Sequence, residues 1–262
     1  MEIVNPTTGA SISSDPQSLA YFRSLVPQAR SLFQQGYDEA RETARAGDLS
    51  SMVRLVRSLH RTIDIMVRED VGKAATAGTP VECAAGCYFC CHQNIMVSAP
   101  EAVTIAMFIR SNALDVPDLT AYAAAIGGLD PAARYAKALP CPLLKDQRCG
   151  VYDDRPETCR SYLSLSRARC ERYVTVTKDD GLIILRDPHT LHPFLIAGAD
   201  WALVQAGFQM VWMELAQLLA QATQPGVCDR WIAQEAVFTA ASNDDYLARL
   251  ELIAKAFQRV AP

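Results

Sequence analysis

Apolar residues return every three or four positions through the first third of the chain. Leu19, Phe22, Leu25, Leu32, Phe33 and Tyr37 make one run, and Met52, Val53, Leu55, Val56, Leu59, Ile63 and Met66 make a second. That period puts each run on one face of a helix. The first run predicts a helix from Pro16 to about Ala46, with Asp15 as N-cap, Gly47-Asp48 as its stop and Pro27 as a kink or break. Ser50 or Ser51 is placed to cap the second helix, so this part of the chain reads as a helical hairpin whose stripes are ordinary core.

Downstream, Ser98 and Glu101 have the spacing of a capping box ahead of the apolar run from Val103 to Ile109. Leu114 to Lys137 is Ala-rich and predicts helix, interrupted at Gly127-Gly128 and restarted by Asp130-Pro131 as cap and first helical residue. Cys141-Pro142-Leu143-Leu144 and Cys149-Gly150-Val151-Tyr152 flank a polar tetrapeptide and predict a short hairpin with a cysteine on each arm. Asp154-Arg155-Pro156 then opens a helix carrying Cys159. Tyr173 to Ile184 predicts a second strand pair, turning at Lys178-Asp179-Asp180-Gly181. From Pro193 to Val260 the pattern is helical again, anchored by Trp201, Trp212, Leu215, Leu218, Leu219, Trp231, Phe238, Leu247, Leu250, Ile253 and Phe257.

The fold class expected from these elements is mainly α: a helical domain with a small β-hairpin region around a cysteine metal site. The expected organisation is an N-terminal helical hairpin over 1–78, a cysteine-cluster metal-binding domain over 79–185, and C-terminal helices over 186–262 packing on the same core.

Composition narrows the function classes. The 262 residues are half apolar, enough for a sizeable core, and the net charge of -4 gives no basic field to attract nucleic acid or an anionic membrane surface. Met1 to Asp15 lacks the basic-then-apolar pattern of a secretory signal, and no uninterrupted apolar run reaches membrane-spanning length. A soluble, cytoplasmic protein is the expectation, with no nucleic-acid or membrane partner. In such a reducing compartment thiols stay reduced, which turns attention to the nine cysteines.

Eight of the nine fall in two clusters: Cys83, Cys87, Cys90 and Cys91, then Cys141, Cys149, Cys159 and Cys170. Clustered thiolates are soft ligands suited to zinc or to iron–sulfur centres. On a continuous helix Cys83 and Cys91 would stand about 12 Å apart along the axis, too far to share one ion. Either Gly86 bends the segment into a knuckle or the ligands divide between centres; the adjacent pair Cys90-Cys91 points the same way, because consecutive side chains diverge. Four and four match two tetrathiolate sites, whereas one cubane would leave thiols to spare. Arg148, Arg155, Arg160, Arg167 and Arg169 crowd the second cluster and can offset its negative charge. Cys87-Tyr-Phe-Cys90 also has the spacing of a redox dithiol, but without a thioredoxin-like pattern of strands and helices around it.

Cys83-x3-Cys87-x2-Cys90-Cys91, Cys141-Pro142-x-Leu144, Cys149-x-Val151-Tyr152-x2-Arg155-Pro156-x2-Cys159-Arg160-x-Tyr162, and Cys170 beyond, together resemble the YkgJ-type cysteine-cluster family, described as zinc- or iron-chelating proteins. The resemblance implies an eight-cysteine metal-binding domain and no particular reaction. It covers about Cys83 to Cys170. Some members of the wider family are flagellin lysine methylases; no glycine-rich nucleotide loop is legible here to match a methyl donor.

The expected cofactor is therefore an iron–sulfur cluster or Zn2+, on all eight clustered cysteines, with Arg155 and Tyr152 supporting the site from beside it. A structural or regulatory metal protein is the first reading, and a cluster-dependent enzyme, a protein lysine N-methylase or a redox protein, is the alternative. An unidentified protein partner is compatible with either. Cys228 reads as a small buried hydrophobe and His92 as a bystander; His60, His189 and His192 read as surface residues. Asp153, Asp154 and Glu157 read as charges favoured at a helix N-terminus.

Overall fold

The computed structural model describes residues 16–175, 184–239 and 244–258. Two long helices open the chain, α1 (Pro16–Ala46) and α2 (Leu49–Thr76). Helix α1 runs through Pro27 without a break, and the expected cap Asp15 lies outside the described residues. One lost N–H bond is outweighed by packing along a whole helical face. Gly47, at φ 62°, ends α1, and α2 is capped by Asp48 rather than by Ser50 or Ser51, its carboxylate accepting from Ser51 N–H at 2.9 Å.

The first cysteine segment follows as irregular chain with Gly86 at φ 89°, then a single 3-10 turn, Phe89–His92. Strand β1 (Met96–Ser98) leads into α3 (Ala99–Ser111), where Ser98 N–H donates to Glu101 Oε2 at 3.2 Å as the capping box requires. Helices α4 (Leu119–Ile126) and α5 (Pro131–Ala136) begin at Asp118 and Asp130, each accepting from its first-turn N–H groups. The helix expected from Leu114 thus starts at Leu119, where a capping carboxylate is present.

Strands β2 (Leu144–Lys145) and β3 (Arg148–Cys149) form the expected hairpin, its turn made by Asp146 and Gln147 at φ 49° and 60°. A 3-10 turn at Tyr152–Asp154 leads to α6 (Glu157–Ser161), and α7 (Arg167–Thr175) follows. Helix α7 corrects the expected strand pair: Tyr173 to Thr175 are helical, because Cys170 and Val174, four residues apart, bury one helical face. The predicted turn from Lys178 to Gly181 lies outside the described residues.

Helix α8 (Arg186–Gln205) passes through Pro193, strand β4 (Trp212–Glu214) pairs antiparallel with β1, and α9 (Leu215–Ala222), α10 (Val227–Ile232) and α11 (Asp244–Gln258) complete the described chain. The α1–α8 pair is the main seam of the molecule. It closes on two glycines: a Cβ at Gly36 would stand 2.0 Å from Leu195 O, and one at Gly198 would stand 1.9 Å from Phe33 O. Around that seam one continuous core gathers Phe33, Met52, Leu59, Val103, Leu195, Leu203, Leu219 and Trp231. The mainly helical class follows from these elements, with two small antiparallel sheets of two strands each among the described residues.

Candidate metal centre

All nine cysteines are free thiols. The loop at Cys83 is tied to the approach to α7: Cys83 N–H donates to Ser164 O at 3.2 Å, and Arg167 N–H donates to Glu82 Oε2 at 2.7 Å. Gly86 reverses the chain and the Phe89–His92 turn then carries Cys90 and Cys91. The second cluster meets the first through main chain, with Cys141 N–H donating to Cys91 O at 2.6 Å. Cys149 stands opposite Leu144 in the hairpin, and α6 supplies Cys159.

The thiols feel one another. Burial, ahead of the charges of Cys90, Cys87 and Cys170, pushes Cys83 up to about 11. Burial also lifts Cys141 to about 12, and it lifts Cys159 well above the usual thiol range, where Cys90, Cys141 and Cys149 add to it. Cys91 donates its S–H to Cys90, which lowers Cys90 and raises Cys91; Arg155 lowers Cys90 further. The guanidinium groups of Arg155 and Arg160 also oppose the burial that raises Cys149. A crowded, partly dry set of thiols resists ionising alone and favours a shared cation, which removes the mutual repulsion as the protons leave.

The donor set is therefore suited in kind to zinc or iron. Among the described residues no three His, Cys, Asp or Glu side chains stand close enough together to hold one ion as placed.

Residues 82–178 match the CxxCxxCC family. Its description is "putative zinc- or iron-chelating domain", and the matched stretch holds all eight clustered cysteines. The α1–α2 pair and the helices from α8 onward lie outside it. No curated protein matches the chain. No solved structure matches it either. No helix among the described residues is long and apolar enough to cross a membrane.

Beside the cysteines, Tyr152 is half exposed and Arg155 lies over its ring at 4.1 Å, with Arg155 Nη1 donating to Tyr152 O at 2.9 Å. Arg160 is buried; it donates to Arg155 O at 2.9 Å, to Asp64 at 2.7 Å and to Asp153 O. Arg167 reaches the Phe89 ring at 5.8 Å. His92 is buried against Tyr135, ring centroids 4.8 Å apart. Cys228 is buried in the core, its thiol donating to Ala222 O at 3.3 Å.

One expectation is corrected here. His60 and His192 are buried, not on the surface: His60 Nε2 meets Glu101 Oε1 at 3.1 Å, and His192 pairs with Glu157. His189 is half-buried. Asp154 and Glu157 stand in the first turns of their helices, as expected, and both are buried. Asp154 accepts both Nε and Nη2 of Arg57, at 2.8 and 2.7 Å, and Glu157 holds its charge because burial is opposed by His192. A carboxylate and a base can share the interior where each neutralises the other. The overlooked signal is polar and helical: Arg57, His60 and Asp64, spaced three and four along α2, point at Asp154, Glu101 and Arg160. Through this stripe the long helix positions the chain on both sides of Cys159.

Proposed function

We propose that the protein binds zinc or an iron–sulfur cluster through Cys83, Cys87, Cys90, Cys91, Cys141, Cys149, Cys159 and Cys170, and that the metal has a structural or regulatory role. The observation that carries this reading is the meeting of the two distant cysteine segments, whose main chains are bonded at Cys91 and Cys141. The match of residues 82–178 to a zinc- or iron-chelating family supports it. Arg155 and Tyr152 sit beside the thiols as a guanidinium and an aromatic cover, arranged to offset thiolate charge rather than to react.

Anaerobic purification followed by elemental analysis tests this. Colourless protein with stoichiometric zinc, or brown protein with iron, sulfide and a visible charge-transfer band, supports metal binding and identifies the centre. Protein that retains neither metal after anaerobic purification and takes up neither on reconstitution overturns it.

A further inference from the structure

The polar stripe of α2 does more than brace α6. Arg57, His60, Arg61 and Asp64 form one wall of an open cleft of about 360 Å3, which Phe108 of α3, the turn at Asp153 and Asp154, and Arg160 of α6 complete. That volume suits a small molecule rather than a macromolecule. Three of the polar side chains that line it, His60, Asp154 and Arg160, are each only 3% exposed.

Most of the charge in the cleft is already cancelled. Asp154 accepts from Nε and Nη2 of Arg57, and Arg160 spends its three nitrogens on Arg155 O, Asp64 and Asp153 O. The Arg61 guanidinium and the Asp153 carboxylate are left over. Both side chains are exposed, and neither has a hydrogen-bond or ion-pair partner among the described residues.

His60 adds a third unmet group. The two oxygens of Glu101 accept main-chain N–H groups, from Ser98 at 3.2 Å and from Glu157 at 2.7 Å. His60 therefore meets Glu101 with its Nε2–H, at 3.1 Å, and the neutral ring keeps Nδ1 as an acceptor. That atom is buried and has no hydrogen-bond partner among the described residues. A buried acceptor without a donor costs the folded chain, and so marks a place where a donor is wanted.

One unmatched cation and two unmatched acceptors define the ligand. A carboxylate answers Arg61, whose planar fork it fits, and an ammonium, with three N–H donors and a positive charge, answers Asp153 and His60. A phosphate dianion would find a single unmatched guanidinium and be repelled by Asp153. Phe108, partly buried, leaves an apolar wall for the rest of the molecule. We propose that this cleft binds a free α-amino acid with an apolar side chain, its carboxylate on Arg61, its ammonium on Asp153 and His60 Nδ1, and its side chain against Phe108. The site uses none of the cysteines, and it stands or falls independently of the metal reading.

Equilibrium dialysis of the intact chain tests this with three probes of one shape: L-phenylalanine, 3-phenylpropanoate, which lacks the ammonium, and phenethylamine, which lacks the carboxylate. L-Phenylalanine should bind, and each truncated probe should bind more weakly by roughly tenfold or more, the scale of one charge-assisted hydrogen bond. Arg61→Gln and Asp153→Asn change exposed side chains, so both variants should fold, and each should weaken L-phenylalanine by a similar factor. Arg68→Gln, at an exposed arginine farther along α2, should leave it unchanged. The imidazole is read by nitrogen NMR, in which the chain has four histidines to resolve: the His60 Nδ1 signal should move on saturation with L-phenylalanine as it gains a donor.

No binding of L-phenylalanine, L-leucine or L-methionine at millimolar concentration overturns the proposal. Equal binding of either truncated probe overturns it too, because a lone charge would then suffice, and so does binding that persists in both variants, because the ligand would then sit outside the cleft. A His60 signal that stays in place while ligand binds removes the imidazole from the site and overturns the assignment as drawn.

Discussion

The amide of Cys141 donates to the carbonyl oxygen of Cys91 at 2.6 Å, so a main-chain bond clasps the two cysteine segments across the excursion through α3, α4 and α5. Around this clasp the stretches from Cys83 to Cys91 and from Cys141 to Cys170 hold few large aliphatic side chains, and metal is the expected source of their rigidity. In metal-free protein, amide exchange should accelerate between Thr79 and His92 and between Cys141 and Arg172, and stay slow in α3 and between Trp201 and Leu219, with the Cys141 amide among the last of the cysteine stretches to exchange. Equal protection of both regions without metal would show that the centre is mounted on a preformed scaffold.

Arg155 is the cation that lowers Cys90 after its bond from Cys91, and it also acts on Cys149. Arg155→Ala should weaken metal retention by roughly tenfold, the scale on which groups around a ligand shell act. Competition against a chromophoric chelator measures it. Unchanged affinity would leave Arg155 as a cover for Tyr152 and nothing more.

At the α1–α8 seam, Gly198→Ala sets a methyl group 1.9 Å from Phe33 O, and main chain cannot rotate away as a side chain can. A loss of about 1–3 kcal/mol or more is expected from such overpacking. Urea denaturation followed by circular dichroism should show it, while metal content per folded chain stays that of the wild type.

Asp200 of α8 is buried, accepting from Trp212 Nε1 of β4 at 2.9 Å and from Tyr246 Oη of α11 at 2.5 Å. Burial outweighs these bonds and pushes its carboxyl from 3.8 up to about 7. The folded chain therefore keeps a proton that the unfolded chain releases. The stabilisation is complete below the ordinary carboxylate value, declines as pH rises, and is gone above about 7, with a slope approaching about 1.4 kcal/mol per pH unit. Asp200→Asn keeps an oxygen acceptor without a titrating proton. The difference in stability between variant and wild type should shift in favour of the variant between pH 4.5 and 7. Parallel pH profiles would count against an ionising Asp200.

Local signals were legible in the sequence, and long-range ones were not. The capping box at Ser98 and Glu101, the restart at Asp130-Pro131 and the hairpin about the polar stretch Lys145 to Arg148 are each decided within a few residues, and each is present. Pro27 was read as a kink or break because its penalty is local, while the packing of α1 on α8 that keeps the helix continuous comes from a distant part of the chain. The β1–β4 pairing left no trace, since three-residue strands show no alternation and their partners are more than a hundred residues apart. His60 and His192 were misread for a related reason: an imidazole gives no hint in sequence of the distant carboxylate that makes its burial tolerable. The clustering of the cysteines was plain in the sequence, and the match of residues 82–178 to a zinc- or iron-chelating family agrees with it.

Glu101 gives the family match a practical boundary problem. One of its oxygens caps α3 through Ser98, while the other takes the N–H of Glu157 at 2.7 Å and faces His60 of α2; the Glu157 side chain is in turn neutralised by His192 of α8. A fragment cut at residues 82 and 178 would carry every clustered cysteine and neither histidine. Glu101 and Glu157 would then lose their imidazole partners, and the helix that bears Cys159 would lose its footing. The matched stretch thus relies on helices outside it to neutralise its buried carboxylates. Reconstitution of this centre belongs with the intact chain.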